Sequence, residues 1–328
     1  MAPGPGGRAA RAALTGEARP RVAALCGGVG AARFLLGLVE VVDPRRVVAV
    51  VNTGDDAVLH GLHVSPDLDT VTYTLAGAIS RERGWGLEGE TWTVMEALAR
   101  YPSGLSWFNL GDRDLATHLF RTQRLREGAR LSAVTAEIAA AWDVAVTVLP
   151  MSDDRVETLM DVEGEGEIGF QDYFVRRRHA VAVRGVRFRG VGEARPAPRV
   201  LDALQAADLV VVCPSNPIVS IGPVLAVPGV GQAVAARRDQ VVAVSPIVAG
   251  AALKGPADRL LVALGHEASV VGVARLYAPF AATLVVDAAD ASLAAAVEAE
   301  GMRCVVAPTV MRGAAEAAAL AKIVLEAA

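Results

Sequence analysis

Cysteine is scarce in this chain. Cys26, Cys213 and Cys304 lie far apart, each near the end of a strand-like run, and no CxxC spacing occurs. An odd, scattered count argues against a disulfide framework or a zinc knuckle and makes reduced cytoplasmic thiols the expectation. Excess positive charge is missing too. A net charge of -4 speaks against a general nucleic-acid binder, which needs a basic surface to neutralise phosphates. No apolar run reaches membrane-spanning length without a Gly, Pro or charge inside it, so no membrane partner is expected. The opening "MAPGPGGRAARAALTGEARP" has no apolar signal-peptide core, and residues 1–20 are expected to form a disordered tail. Several catalytic signatures are absent as well. The five histidines form no HExxH motif, and His60 and His63 have no cysteine partners for zinc. No GxSxG elbow supports a serine nucleophile.

What is present points to a buried α/β enzyme. Apolar residues make up 53% and charged residues 21% of 328, which suits a globular chain with one large domain, or a main domain carrying a smaller one. "RVAALC", "RRVVAVVNTGDD", "DLVVVCPSNP", "QVVAVSP", "ATLVVDAAD" and "MRCVVAP" are Val-rich runs, several separated by Ala-rich helical stretches. Continuous apolar strands alternating with helices predict a Rossmann-like, doubly wound α/β fold with a mostly parallel sheet covered on both faces. From Asp69 to about Trp142 the periodicity is mostly helical. "ETLMDVEGEGEIGFQDYFVRRR" then suggests a hairpin about a Gly-Glu-Gly turn. The expected division is a core of residues 21–68 and 195–328 with an inserted helical and β-hairpin region over 69–194.

The chemistry-bearing stretches fall at strand ends. "CGGVGAAR" places Gly27, Gly28 and Gly30 between a strand and a helix, where free N–H groups and the helix dipole favour a phosphate. It is no P-loop, since no Gly-Lys-Ser/Thr follows, and Arg33 stands where a dinucleotide fingerprint needs its third glycine. Arg33 could instead meet a bound phosphate as a cation. "VNTGDD" puts Asn52, Asp55 and Asp56 at the ligand-binding edge of a second strand, where the acids could serve a ribose, a metal or a solvated turn. In "VSPDLDTVTYTLAG", Asp67 or Asp69 could cap the following helix. Capping needs one acid only, and several carboxylates converging without Lys or Arg call for a cation such as Mg²⁺. "WFNLGDRDLATHLFR" groups Asn109, Asp112, Arg113, Asp114 and His118 at a loop–helix junction, readable as a salt-bridged helix start or as a ligand-facing set. "CPSNPIVSIGP" offers Ser215, Asn216 and Ser220 on a proline-stiffened loop. Lys254, one of few lysines in an Arg-rich chain, suits a point-charge phosphate contact.

Together "GGVGAARFLLGL", "VNTGDD", "HGLHVSPDLDTVTYTLAG", "GWGLEGETW", "NLGDRDLATH", "LPMSDD", "PSNPIVSIGPVLAVPG" and "SPIVAG" resemble the 2-phospho-L-lactate transferase family, whose bacterial members include phosphoenolpyruvate transferases of coenzyme F-420 synthesis. The resemblance runs in order from about Arg21 almost to the C-terminus. It implies that the terminal ribityl hydroxyl of the deazaflavin Fo attacks a guanosine diphosphate ester of lactate or enolpyruvate, releasing GMP with help from Mg²⁺. On that basis Gly28, Gly30, Arg33, Ser215, Asn216, Ser220 and Lys254 would bind the guanosine diphosphate portion. Asp55 and Asp69 would hold the metal, with Asp69 also orienting the hydroxyl or acting as a weak base. Asp56, Asp67, Asn109, Arg113 and His118 would meet Fo. A homodimer in the cytoplasm is part of the same expectation. A paralogous branch of gluconeogenesis-factor-like proteins binds a nucleotide sugar for regulation and is the alternative; a nicotinamide-dependent dehydrogenase would rest on the glycine turn alone.

Overall fold

The computed structural model describes residues 20–102 and 107–328. The tail expected over residues 1–20 lies outside them apart from Pro20. Seven strands form the main sheet: β1 (Val22–Cys26), β2 (Val47–Val51), β3 (Thr147–Pro150), β4 (Leu209–Val212), β5 (Val241–Val244), β6 (Thr283–Asp287) and β7 (Arg303–Ala307). Their order is β7-β6-β5-β4-β1-β2-β3, with every neighbouring pair parallel. The chain therefore winds outward in both directions from β1 and β4, the Rossmann-like, doubly wound arrangement expected from the Val-rich runs.

Strand period explains why these runs are apolar throughout. Ala23 and Leu25 of β1 point into one core with Val210, Val212, Ala243 and Leu284. Val22, Ala24 and Cys26 point into the other, with Val47, Ala49, Val51 and Val211. Both faces are covered, so neither parity can be polar. On the second face, helix α1 (Val29–Val41) buries Ala31, Phe34, Leu35 and Leu38. The C-terminal helix Ala314–Glu326 answers with Ala317, Leu320, Ala321 and Val324. Each set follows the i, i+3, i+4, i+7 spacing of a single helical stripe. Gly37 lets the two helices touch, because a Cβ there would lie 2.1 Å from the Ala317 carbonyl carbon.

One sequence expectation changes. The 69–194 region is not a self-contained insertion, since it supplies β3, which pairs with β2 from Val48↔Thr147 to Val51↔Pro150. The helical run before it is partly the crossover that an additional parallel strand requires. Cysteines distant in sequence are neighbours in space: Cys26 ends β1, Cys213 directly follows the adjacent β4, and their Sγ atoms lie 3.7 Å apart as free, buried thiols.

The Gly-Glu-Gly hairpin is present: Glu157–Val162 pairs with Gly166–Gly169, and Gly164 and Gly166 adopt φ of 77° and 78°. A third strand, Val183–Arg189, completes this antiparallel ribbon on the other side of Glu157–Val162. The helices α2 (Pro66–Leu75), α3 (Thr93–Leu98), α4 (Asp114–Arg126) and α5 (Leu131–Ala141) account for the helical periodicity between β2 and β3. α2 stops near Gly77, whose φ of 69° breaks the helix two residues after Leu75. None of the described helices is long and apolar enough to cross a membrane.

Candidate active site at the switch point

The strand order reverses between β1 and β4, and the loops leaving those strands meet there. Backbone approach is very close. A Cβ on Gly27 would lie 2.5 Å from the Ser220 Cβ, and one on Gly30 would lie 2.0 Å from the Pro214 carbonyl oxygen. Gly30 thus serves the packing of α1 on the β4 loop. The Gly27 N–H donates to Ser215 Oγ at 3.2 Å, and Asn216 Oδ1 accepts from the N–H groups of Ile218 and Val219. Ser215, Asn216 and Ser220 accordingly shape the crevice, with two of their three side-chain oxygens bound to backbone.

Across the glycine turn stands a carboxylate cluster. α2 takes Ser65 as its N-cap residue and Pro66 in its first turn, and no side chain caps it. Ser65 Oγ donates instead to Asp56 Oδ2 at 2.7 Å. Neither Asp67 nor Asp69 is therefore used as a cap, and the two diverge. Asp67 turns to the glycine loop, where a Cβ on Gly28 would lie 2.4 Å from its Oδ1. The Asn52 Nδ2 donates to Asp67 Oδ2 at 3.0 Å and to Asp55 Oδ1 at 3.2 Å, bridging the two acids. Gln171, arriving from the antiparallel ribbon, donates its Nε2 to Asp55 Oδ2 at 3.3 Å and to the Asp55 carbonyl at 3.2 Å. Among the described residues no basic side chain bonds to Asp55 or Asp67. Burial, reinforced by the charges of Asp67 and Asp56, pushes the Asp55 carboxyl well above its ordinary range. Burial likewise lifts Asp67 to about 6, against the opposing Asn52 hydrogen bond.

Asp69 has the opposite fate. It points into the interior, where Arg121 of α4 donates Nη1 to its Oδ2 at 3.1 Å and Nη2 to its Oδ1. The guanidinium is 1% exposed, so this is a buried, two-pronged ion pair. His118 Nδ1 lies 3.7 Å from Asp69 Oδ2 and 3.3 Å from Arg121 Nη1. Its Nε2 lies 3.4 Å from Asp114 Oδ2, and the Tyr73 hydroxyl donates to Asp114 Oδ1 at 2.7 Å. The premise that no base stands near the acids thus fails for Asp69. Asp69, Asp114 and His118 are close enough to share a metal ion. Arg121 nonetheless occupies both Asp69 oxygens and already supplies the countercharge. The Asp55–Asp67 pair would suit Mg²⁺ better: its hard carboxylate oxygens are oriented by neutral amides, have no basic partner among the described residues and lie beside the glycine turn.

The remaining expected residues divide. Lys254 Nζ donates to the Arg83 carbonyl at 3.0 Å. A Cβ on Gly84 would lie 2.8 Å from that Nζ and 3.9 Å from Arg33 Nη2. Burial and the Arg33 charge lower the Lys254 pKa. Two cations are thus held near one point beside the start of α1. Trp85, 41% exposed, sits on the same loop, with Trp92 at 6.1 Å between ring centroids and the Arg83 guanidinium against both. Arg113 is turned away, donating Nη1 to the Glu88 carbonyl at 2.5 Å, and Asn109 is exposed. Of the five residues expected to meet Fo, Asp56, Asp67 and His118 join the acid groups, whereas Asn109 and Arg113 do not. Arg121, Gln171 and Tyr73 were not anticipated. Arg121 alone left a trace, as a charged residue three positions after His118 on the helical face.

A doubly wound sheet whose switch point carries a glycine turn, a cation pair and a group of carboxylates has the make-up of a ligand-binding crevice. Residues 22–317 match the sequence profile of the family described as 2-phospho-L-lactate transferase CofD. A phosphoenolpyruvate transferase of Streptomyces griseus is 48% identical over 310 residues, covering 93% of this chain and 98% of that protein. One from Nocardia farcinica is 48% identical over 274 residues, 82% of each. In fold, the chain is similar to a crystal structure of a upf0052 family member from Bacillus halodurans, with a TM-score of 0.60, 16% identity and coverage of 94% and 100%. The chain belongs to the 2-phospho-L-lactate transferase CofD family and is a transferase.

Proposed function

We propose that the protein transfers a phosphoenolpyruvyl or 2-phospho-L-lactyl group from a guanosine diphosphate ester to the terminal ribityl hydroxyl of the deazaflavin Fo. The hydroxyl oxygen forms the new P–O bond, the bond to the GMP phosphate breaks, and the hydroxyl proton passes to a carboxylate of the cluster. Transfer at phosphorus asks mainly for positioning and charge neutralisation. The observation that carries this reading is the pair of buried Asp55 and half-buried Asp67 beside the glycine turn, oriented by Asn52 and Gln171 and without a basic partner among the described residues. Mg²⁺ held by those two acids would neutralise phosphate charge there.

The other roles follow from placement. Arg33 and Lys254 meet the diphosphate, and Trp85 offers an exposed face for a planar ring. Asp69, with its charge matched by Arg121, accepts a hydrogen bond from an acceptor hydroxyl better than it removes a proton. The name shared by the two relatives, phosphoenolpyruvate transferase, favours enolpyruvate as the three-carbon acid. Cytoplasmic residence and a homodimer belong to the same reading.

The test measures GMP release from enolpyruvyl- and lactyl-diphosphoguanosine, each with and without Fo and Mg²⁺, with the deazaflavin product weighed by mass spectrometry. Release that needs both Fo and Mg²⁺ supports the transfer and identifies the donor. Folded protein that releases GMP from neither donor overturns it in favour of nucleotide-sugar binding.

A further inference from the structure

We propose that Gln171 is a positioning residue through which the antiparallel ribbon governs divalent-cation binding at Asp55. The inference rests on the reading of Asp55 and Asp67 as the cation site. Gln171 lies 116 residues from Asp55 and is 8% exposed, yet its amide nitrogen reaches both the Asp55 carboxylate and the Asp55 main-chain oxygen. Asn52 holds the opposite carboxylate oxygen. Each oxygen of Asp55 therefore has one neutral N–H donor, one from the core and one from the ribbon.

Neutrality is the important property. An amide orients a carboxylate without cancelling its charge, whereas the guanidinium at Asp69 does both. An arginine or lysine at position 171 would compete with the metal for Asp55. A leucine or methionine would leave Oδ2 without its donor. Amide donors at both oxygens fix the carboxylate plane without supplying a countercharge. Outer partners of this kind typically change metal affinity by about 10- to 100-fold when removed.

The ribbon holds Gln171 firmly. It directly precedes the π-helical turn Asp172–Arg176, whose Tyr173 is buried with Met160, Val219 and Leu260. A second tie lies close by, where the Thr158 N–H of the same ribbon donates to the Gly54 carbonyl at 2.6 Å. The loop bearing Asp55 is thus gripped at two points by an element outside the main sheet. Val219 belongs to the turn that follows Ser215 and Asn216, so the packing that seats Gln171 is shared with the β4 loop at the switch point.

The test is direct Mn²⁺ binding to the substrate-free full chain, followed by electron paramagnetic resonance of the free ion, for wild type, Gln171→Met and Gln171→Lys. Melting curves without metal establish that each variant is folded. Wild type should bind Mn²⁺, Gln171→Met should bind about 10- to 100-fold more weakly, and Gln171→Lys should show no binding. A purely structural role would lower the melting temperature of both variants and leave their Mn²⁺ affinity in place. Wild-type binding matched within about twofold by Gln171→Met overturns this inference while leaving the carboxylate pair as the cation site. If Gln171→Met fails to fold, Mn²⁺ binding by Gln171→Lys at wild-type affinity overturns it equally. Wild type that binds no Mn²⁺ overturns the cation site and this proposal together.

Discussion

Two pairs of buried charge stand side by side in this molecule and are handled in opposite ways. Asp55 and Asp67 share the Asn52 amide, and among the described residues no basic side chain bonds to either. Asp69, two residues further along α2, is clamped by Arg121 and backed by His118 and Asp114. Asp55 and Asp69 are buried alike, at 7% and 6% exposure, so between those two the difference lies in the partner. A buried carboxylate left to amides resists ionisation and stores an appetite for positive charge. One matched by a guanidinium is electrically complete and fixes the geometry of α2 against α4. On the reading proposed above, the Asp55–Asp67 pair takes the ligand, whereas the Asp69 network holds the site still.

Substitution should separate the two pairs by the sign of the stability change. Asp67→Asn is expected to lower turnover by about a thousandfold, roughly 4 kcal/mol of transition-state stabilisation, through loss of the cation site. It should also raise the stability of metal-free protein, because it removes repulsion. Asp69→Asn should lower stability, since it leaves Arg121 charged, buried and without its partner. Thermal melts of both variants beside steady-state rates would show this, and a common sign of stability change would break the comparison. Arg121→Met should cost about 3–5 kcal/mol by stranding the Asp69 carboxylate. The double variant Asp69→Asn/Arg121→Met should recover part of that loss in a denaturant-unfolding cycle.

A pH experiment sharpens the contrast. Asp67 has its folded pKa raised from 3.8 to about 6, so the folded state binds more protons than the unfolded state between those values. Stability contributed by this group therefore falls as pH rises from about 4 to 6, by up to about 3 kcal/mol, and stays low above. His63 works in the reverse direction. Burial first, then the charges of Arg121 and Arg155, lower it from 6.5 to about 4, and its contribution grows over much of the same interval. The raw curve mixes both, so the informative quantity is the stability of Asp67→Asn minus wild type, without metal. That difference should grow from pH 4 to 6 and then level off; a flat difference would show that Asp67 is not strained by burial.

Much of this fold was legible because it depends on local pattern. Val-rich runs, glycine turns and i, i+3, i+4, i+7 stripes are written within ten or so residues. The doubly wound sheet and the hairpin at Gly164–Gly166 follow from them. β3 was absorbed into an insertion because a short parallel strand such as Thr147–Pro150 shows its partner only in three dimensions. The candidate site was legible as a set of acids but not as pairs. Whether Asp67 or Asp69 would meet a cation depended on Arg121, 52 positions beyond Asp69, and on Gln171, 116 positions beyond Asp55. A helical wheel of α4 places Arg121 on the His118 side, yet nothing in α2 reveals which acid it meets. Cys26 and Cys213 make the same point, since adjacency of β1 and β4 is a property of winding order.

The smallest expected effect concerns the cations at the other edge of the crevice. Lys254 and Arg33 share a neighbourhood without an ion-pair partner among the described residues, and partial desolvation first, then the Arg33 charge, lowers the Lys254 pKa. Both side chains are exposed, so water screens them far more than it screens Asp55 or Asp67. Lys254→Ala should therefore raise the KM for the proposed guanosine diphosphate donor about 10-fold, near 1.4 kcal/mol, with little change in kcat. The effect should shrink as salt is raised, which the loss at Asp67→Asn should not. If Lys254→Ala instead lowers kcat at constant KM, the lysine acts on the transition state, and the division between a binding edge and a reacting edge of this crevice would not hold.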